Sequence, residues 1–365
     1  MSTETSTIPI GATGMEPSGS GGADTGGPST GGMGGDTSGN GGGTAGSNGV
    51  VSTDNDSGSG GTASTTDTES GTGGAGGSDD TTEPETMEPE FHIYLAVGQS
   101  NMQGAAFLPD EPIFHERVLV LQDQNCPQSD GNPHRYGDWR EMFPPLIKCK
   151  EGERTHPNGM NRPIGLGPAD SFAVAMAEAA AENVTIGIVG AAYGDTSIEQ
   201  HLPNCTGQCL PSWGSNIDGA PVVNGTTRLY DWVVDLGRKA QERGVIKGII
   251  FHQGENNASN PSNWLSNVNA YVTALRSDLG LDPADCPFVA GELPHTGGSA
   301  ASLNPHIQQI PDHVENGHWV SAGPMEDGTV LGDRGDGIHW GTDSVIEMGK
   351  RYAAKMREAQ AASSN

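Results

Sequence analysis

A serine stands in the segment Gly98-Gln99-Ser100-Asn101-Met102-Gln103-Gly104, directly after the apolar run Phe91-His92-Ile93-Tyr94-Leu95-Ala96-Val97. The run is short, rich in β-branched and aromatic residues, and followed by glycine, so it predicts a strand feeding a tight loop. A small hydroxyl residue at such a strand end is where an α/β enzyme displays a nucleophile. The plain alternative is a strand-ending turn, since Gly, Ser and Asn are common turn formers. Near the other end of the chain, Asp333-Arg334-Gly335-Asp336-Gly337-Ile338-His339-Trp340 sets an aspartate three residues before a histidine. That spacing lets one loop present both side chains, the carboxylate orienting the imidazole. Serine, imidazole and carboxylate together are the groups that acyl transfer needs.

Other loops of the same kind lie between these two. A short apolar stretch over 117–121 predicts a second strand, and a long polar excursion over 122–162 follows it. An excursion of that length in an enzyme is often a substrate wall. A helix opens near Pro168, which suits a first turn, and 184–189 reads as a buried strand. That strand runs into Gly190-Ala191-Ala192-Tyr193-Gly194-Asp195-Thr196-Ser197-Ile198. Helical spacing over 227–243 precedes a strand at 245–251, whose end carries His252-Gln253-Gly254-Glu255-Asn256-Asn257-Ala258. A side-chain amide there can donate two hydrogen bonds without charge, which suits an oxyanion donor. A helix over 262–279, strands over 286–293 and 318–321, and a helical stretch over 303–314 limited by Pro305 and Pro311 complete the pattern. A terminal helix over 342–357 closes it, with Asp343 reading as a first-turn residue.

Gly-Gln-Ser-Asn-Met after an apolar strand resembles the first signature block of the SGNH hydrolases. Within them it is most similar to the branch of sialate O-acetylesterases and the acetylxylan esterases of carbohydrate esterase family 6. It is not the G-x-S-x-G elbow of α/β-hydrolases, because Met102 stands where the last Gly would be. The resemblance implies that Ser100 is the nucleophile, His339 the general base and Asp336 its partner, with Asp333 competing for the carboxylate role. The loop after 184–189 resembles the second block, usually Gly-Gly-Thr-Ser-Ile, with Asp195 in place of the second Gly. The resemblance carries an oxyanion role to the N–H of Gly194, beside that of Ser100. His-Gln-Gly-Glu resembles the third block. By motif position the third oxyanion donor is Gln253, with Asn256 as the alternative. Gln99, Asn101 and Glu255 are candidates to contact the sugar, and His252 reads as a bracing residue.

The resemblance implies an α/β domain, three-layer α/β/α with a mostly parallel sheet, and an esterase that removes acetyl groups from carbohydrate. Plant polysaccharide such as acetylxylan is the expected substrate, with no metal and no cofactor. The rivals are a sialate O-acetylesterase, a lipase or thioesterase of the wider superfamily, and a carbohydrate-binding module that has lost catalysis. The polar loops and an aromatic content of 5% count against a greasy acyl channel. The serine, aspartate and histidine count against a pure binding module.

Composition splits the chain. Residues 1–90 hold 14 acidic and no basic residues among Gly, Ser, Thr and Asp, which predicts a disordered tether without a core. The remaining 275 residues suit one α/β domain. They carry a net charge of −14, which argues against nucleic acid or an anionic membrane and for a neutral sugar ester. No apolar run is long enough to span a bilayer, and no basic-then-apolar leader opens the sequence. A Gly/Ser/Thr tether ahead of an enzyme suits a secreted or cell-surface protein whose export signal has been removed. Of five cysteines, Cys205 and Cys209 suit a short-loop disulfide, Cys126 and Cys149 flank a loop they could close, and Cys286 is left odd and buried. Zinc on Cys205 and Cys209 is the sharper alternative, but no second ligand pair has fitting spacing.

Overall fold

The computed structural model describes residues 88–127, 133–296 and 298–363. The expected tether therefore lies outside the described residues, except for its last three. The first strand, β1 (Glu90–Gly98), alternates as a buried strand must: Ile93, Leu95 and Val97 pack into one apolar layer, Tyr94 and Ala96 into the other. A single helical turn, α1 (Ser100–Gly104), follows it, then a two-residue strand, β2 (Ala106–Phe107). Next come β3 (Val118–Leu121), β4 (Trp139–Glu141), β5 (Gly152–Thr155) and β6 (Asn161–Leu166). Helix α2 (Pro168–Ala179) leads to the long strand β7 (Val184–Ala192). A minor hairpin, β8 (Val222–Val223) with β9 (Thr226–Thr227), precedes α3 (Leu229–Gln241) and β10 (Val245–His252). Helix α4 (Trp264–Leu279) and β11 (Phe288–Gly291) follow. The short helices α5 (Asn304–Ile307) and α6 (Ile310–His313), β12 (Gly317–Val320) and the long α7 (Thr342–Ser363) complete the chain.

Seven strands form one sheet in the order β12-β11-β10-β1-β7-β3-β4, parallel throughout except for the antiparallel β3–β4 edge. Helices α2 and α7 cover one face with Phe172, Met176, Met348 and Tyr352. Helices α3 and α4 cover the other with Trp232, Leu236, Trp264 and Tyr271. This is the expected three-layer α/β/α architecture. The chain fills the β7 side of β1 first and the β10 side afterwards, so the strand order reverses at β1. Open α/β sheets bind ligands in the crevice at such a switch point, beyond the carboxyl ends of the strands.

Two details differ from the sequence expectations. The excursion over 122–162 is not only loop: β4 adds an antiparallel edge strand, and β5 and β6 pair with β2 in a second small sheet. Polar residues on an edge strand, such as Arg140 and Glu141, give no apolar signal to read. The helical stretch over 303–314 breaks into α5 and α6, each opening on a proline at its first positions.

Two disulfides, Cys126–Cys149 and Cys205–Cys209, close the loops they flank, and Cys286 is free and buried. Bonded to each other, Cys205 and Cys209 are not thiolate ligands, which removes the zinc alternative. Among the described residues no helix is long and apolar enough to cross a membrane.

Candidate active site

The loops after β1, β7 and β10 and the segment before α7 meet in one cavity of about 870 Å³. Ser100 opens α1 immediately beyond β1. The turn into it depends on Gly98, whose φ is +146°, and a Cβ there would lie 2.0 Å from the His252 carbonyl oxygen. Only glycine allows β1 and β10 to approach that closely at their ends.

The Ser100 hydroxyl lies 2.9 Å from His339 Nε2, and His339 Nδ1 lies 2.8 Å from Asp336 Oδ2. Asp336 Oδ1 also accepts the backbone N–H groups of Ile338 at 3.0 Å and His339 at 2.8 Å. The carboxylate thus fixes both ends of its own loop. Burial pulls the Asp336 carboxyl upward, but the hydrogen bonds from the His339 backbone and ring and from Arg334 outweigh it. The carboxyl is held well below the usual carboxylate range.

Asp333, the competing carboxylate, faces elsewhere. It accepts the N–H groups of Gly335 at 2.6 Å and Gly337 at 2.9 Å and the Thr296 hydroxyl at 2.9 Å. Its work is to shape the loop. Arg334 carried no expectation, yet it donates to Asp336 Oδ2 at 2.8 Å and to the Ala105 carbonyl, and its Nη2 sits 3.1 Å from His339 Nδ1. Burial lowers the His339 pKa, the Asp336 bond opposes that, and the Arg334 charge reinforces it. The balance is a value below the ordinary 6.5, so the imidazole is neutral and able to accept a proton near neutrality.

Gln253, the amide expected to hold an oxyanion, is turned into the interior. Gln253 is buried, and its Nε2 donates to the Thr196 carbonyl at 3.0 Å, to Asn257 Oδ1 at 2.8 Å and to Gln99 Oε1 at 3.3 Å. Its own oxygen accepts the Trp264 indole N–H at 2.7 Å. Both amide protons are engaged in the interior, so Gln253 does not face the serine as a donor. Asn256, the alternative, is exposed and lines the cavity, with Nδ2 also 2.9 Å from Asp195 Oδ1. Gly194 lies against Ser100: a Cβ on it would sit 3.6 Å from Ser100 Cβ. Its N–H donates to Gln103 Oε1 at 3.1 Å.

Of the three candidate sugar contacts, Gln99 and Glu255 line the cavity and Asn101 does not. Asn101 is buried and knits the loops: Nδ2 donates to Glu255 Oε1 at 2.6 Å and the Ile338 carbonyl at 3.1 Å, and Oδ1 accepts the Trp340 N–H at 3.0 Å. With its amide so engaged, it positions rather than binds. Gln99 is 2% exposed and engaged with Gln253, although it borders the cavity floor. Glu255 reaches the cavity wall with a side chain only 5% exposed and an Oε2 that meets no hydrogen-bond partner. Burial pushes its carboxyl up to about 7, against the pull of the Asn101 bond. His252 braces the core: Nδ1 is 3.1 Å from the Tyr352 hydroxyl and Nε2 is 3.3 Å from the Trp340 indole nitrogen. Burial holds its pKa down at about 3.

A hydroxyl, a neutral imidazole and an ionised carboxylate in line, at the carboxyl ends of parallel strands, can perform nucleophilic acyl transfer. Residues 90–358 match the family model described as carbohydrate esterase, sialic acid-specific acetylesterase, and the chain belongs to that family. The same fold occurs in a solved protein from Arabidopsis thaliana, 20% identical, with a TM-score of 0.52, covering 74% of this chain and 99% of that one. It occurs also in NanS, 17% identical, with a TM-score of 0.55, covering 74% of this chain and 98% of that one.

Proposed function

We propose that this protein is a serine esterase that removes O-acetyl groups from carbohydrate, with water as the final acyl acceptor. The observation that carries the reading is the continuous chain from Ser100 Oγ through His339 to Asp336. His339 takes the Ser100 proton at Nε2 as the oxygen attacks the acetyl carbonyl. Asp336 holds the ring in the tautomer that leaves Nε2 free and stabilises the imidazolium that forms. The oxyanion is held by the N–H groups of Ser100 and Gly194 and by Asn256 Nδ2. To reach Gly194 the acetyl oxygen displaces Gln103 Oε1, which accepts that N–H in the free protein. His339 then protonates the departing sugar hydroxyl, and water repeats the sequence on the acetyl-enzyme. No step calls for a metal or a cofactor. Two disulfides suit an oxidising compartment, so we place the protein outside the cytoplasm.

Acetylxylan, a neutral polymer, is the substrate that the sequence resemblance favours. One feature of the cavity favours a second reading, an acetylated sugar that also bears a carboxylate, as in sialic or uronic acids. Lys148 and Arg154 line the cavity, and neither has a carboxylate within ion-pair distance among the described residues. Either could receive a substrate carboxylate in a cavity whose other charged lining groups include Arg334, Asp195 and Asp336.

Acetate release from acetylated xylo-oligosaccharides and from O-acetylated sialic acid tests both readings. Release from either supports the esterase, and release from neither, nor from a chromogenic acetyl ester, overturns it. A carboxylate-bearing substrate predicts a higher kcat/KM on the sialic acid, lowered by salt and by Lys148→Gln. A preference for the xylo-oligosaccharide, indifferent to salt, returns the substrate to the neutral class.

A further inference from the structure

Asp195 adopts a left-handed conformation at φ +59°. Such a conformation costs a non-glycine residue about 1–2 kcal/mol, less for aspartate, which bonds locally. Its carboxylate spans two cavity residues. Oδ1 accepts Asn256 Nδ2 at 2.9 Å, and Oδ2 accepts the Trp213 indole N–H at 2.8 Å.

Trp213 is one of the few large apolar side chains left open, 61% exposed on the cavity wall. It is also held rigidly. Beyond the Asp195 bond, its ring stacks on Tyr193 with centroids 5.8 Å apart and planes 26° from parallel. The Tyr193 hydroxyl is itself engaged with Ser215, accepting its N–H at 3.1 Å. An exposed indole face pinned in place loses little freedom when a ligand covers it. The opposite, apolar C–H face of a pyranose ring is the ligand chemistry that matches a flat aromatic face beside polar groups.

We propose that Trp213 is a stacking platform for a sugar ring of the substrate and that Asp195 is a positioning residue tying this platform to Asn256. The inference rests on the esterase reading above, with Asn256 as an oxyanion donor. One Asn256 amide proton binds Asp195, which turns the other toward the cavity. A sugar seated on Trp213 is thereby registered against the group that receives the developing negative charge. A simple alkyl acetate reaches only the second of these.

The test compares glucose pentaacetate with ethyl acetate, taking kcat and KM for each on the full chain. Trp213→Ala is expected to lower the ratio of kcat/KM for glucose pentaacetate over ethyl acetate by about tenfold, which is 1.4 kcal/mol, mainly through KM. Trp213→Phe keeps a ring and loses the N–H, so it should fall between Trp213→Ala and wild type. Asp195→Asn tolerates the left-handed backbone but cannot accept both N–H groups, since its amide nitrogen is a donor. It should lower kcat on both esters, through Asn256, and lower the ratio as well. Melting temperatures establish that each variant is folded. An unchanged ratio in Trp213→Ala overturns the platform, and an unchanged kcat in Asp195→Asn overturns the tie. Failure of the wild type on both esters overturns the esterase reading instead, a separate outcome from hydrolysis without discrimination.

Discussion

Arg334 Nη2 approaches the same nitrogen of His339, Nδ1, that faces Asp336, at 3.1 Å against 2.8 Å for the carboxylate. The imidazole therefore sits between a charge that favours its protonated form and one that opposes it. Burial adds to the opposition, and the pKa lies below the ordinary value.

The first prediction follows from the signs. His339 must be neutral to accept the serine proton, so kcat/KM falls as pH drops through its pKa. Asp336→Asn removes the influence that raises the pKa, so the acid limb moves to lower pH and the plateau falls because the tautomer is lost. Arg334→Gln removes one that lowers it, so the limb moves to higher pH. Asp333→Asn should move the limb little, since its bonds go to Gly335, Gly337 and Thr296. Profiles of kcat/KM against pH for the four proteins check this. Limbs that move together contradict it.

The second prediction separates two amides three residues apart. Asn256→Ala should lower kcat on the order of 100- to 1000-fold, the usual cost of one oxyanion donor, with little change in melting temperature. Gln253→Ala should destabilise instead, because it leaves the Trp264 indole N–H without its buried acceptor. Rates and thermal unfolding on both variants decide between them.

Those two amides also mark where the sequence stops being readable. The strands 91–97, 184–189 and 245–251 are visible because each is a short apolar run ending near glycine, and the loops that follow them had to converge at one end of the sheet. Ser100 and His339 come with that convergence. The choice between Gln253 and Asn256 does not. Gln253 is held inward by Trp264 and Thr196, whose bonds to it depend on tertiary packing. Asp336 and Asp333 were similarly open, because either spacing from His339 fits one loop. Two glycine N–H groups hold Asp333 within its own loop. The Trp213–Asp195 bond joins two loops 18 residues apart in sequence, and nothing local announces it.

A third prediction concerns Asn101, which joins the serine loop to Glu255 and to the backbone on either side of His339. Asn101→Ala removes the acceptor of the Trp340 N–H and the side-chain donor to the Glu255 carboxyl, at a cost of about 1–3 kcal/mol each. The variant should melt earlier and also lose kcat, since Ser100 and His339 are no longer held in register. Denaturant unfolding beside steady-state kinetics measures both. Full activity with lowered stability would assign Asn101 to folding alone.

Glu255 supplies the fourth. Its folded pKa of about 7 lies above the ordinary value of 4.5, so its contribution is fully present below pH 4.5 and is lost as pH rises toward 7. Glu255→Gln keeps an acceptor for Asn101 and removes the charge. The variant should gain melting temperature over wild type at pH 8 and gain little at pH 4.5. A constant difference across that range contradicts a desolvated, titrating carboxyl.

In the proposed mechanism Ser100 carries the acetyl group between substrate and water. The direct measurement is acid-quenched mass spectrometry of the enzyme during turnover of an acetyl ester, with peptide mapping, on wild type and Ser100→Ala. The wild type should release acetate and carry a transient acetyl group on the peptide containing Ser100. A folded Ser100→Ala protein should do neither. Acetate released by Ser100→Ala at the wild-type rate, or an acetyl group mapped to another residue, would contradict the mechanism.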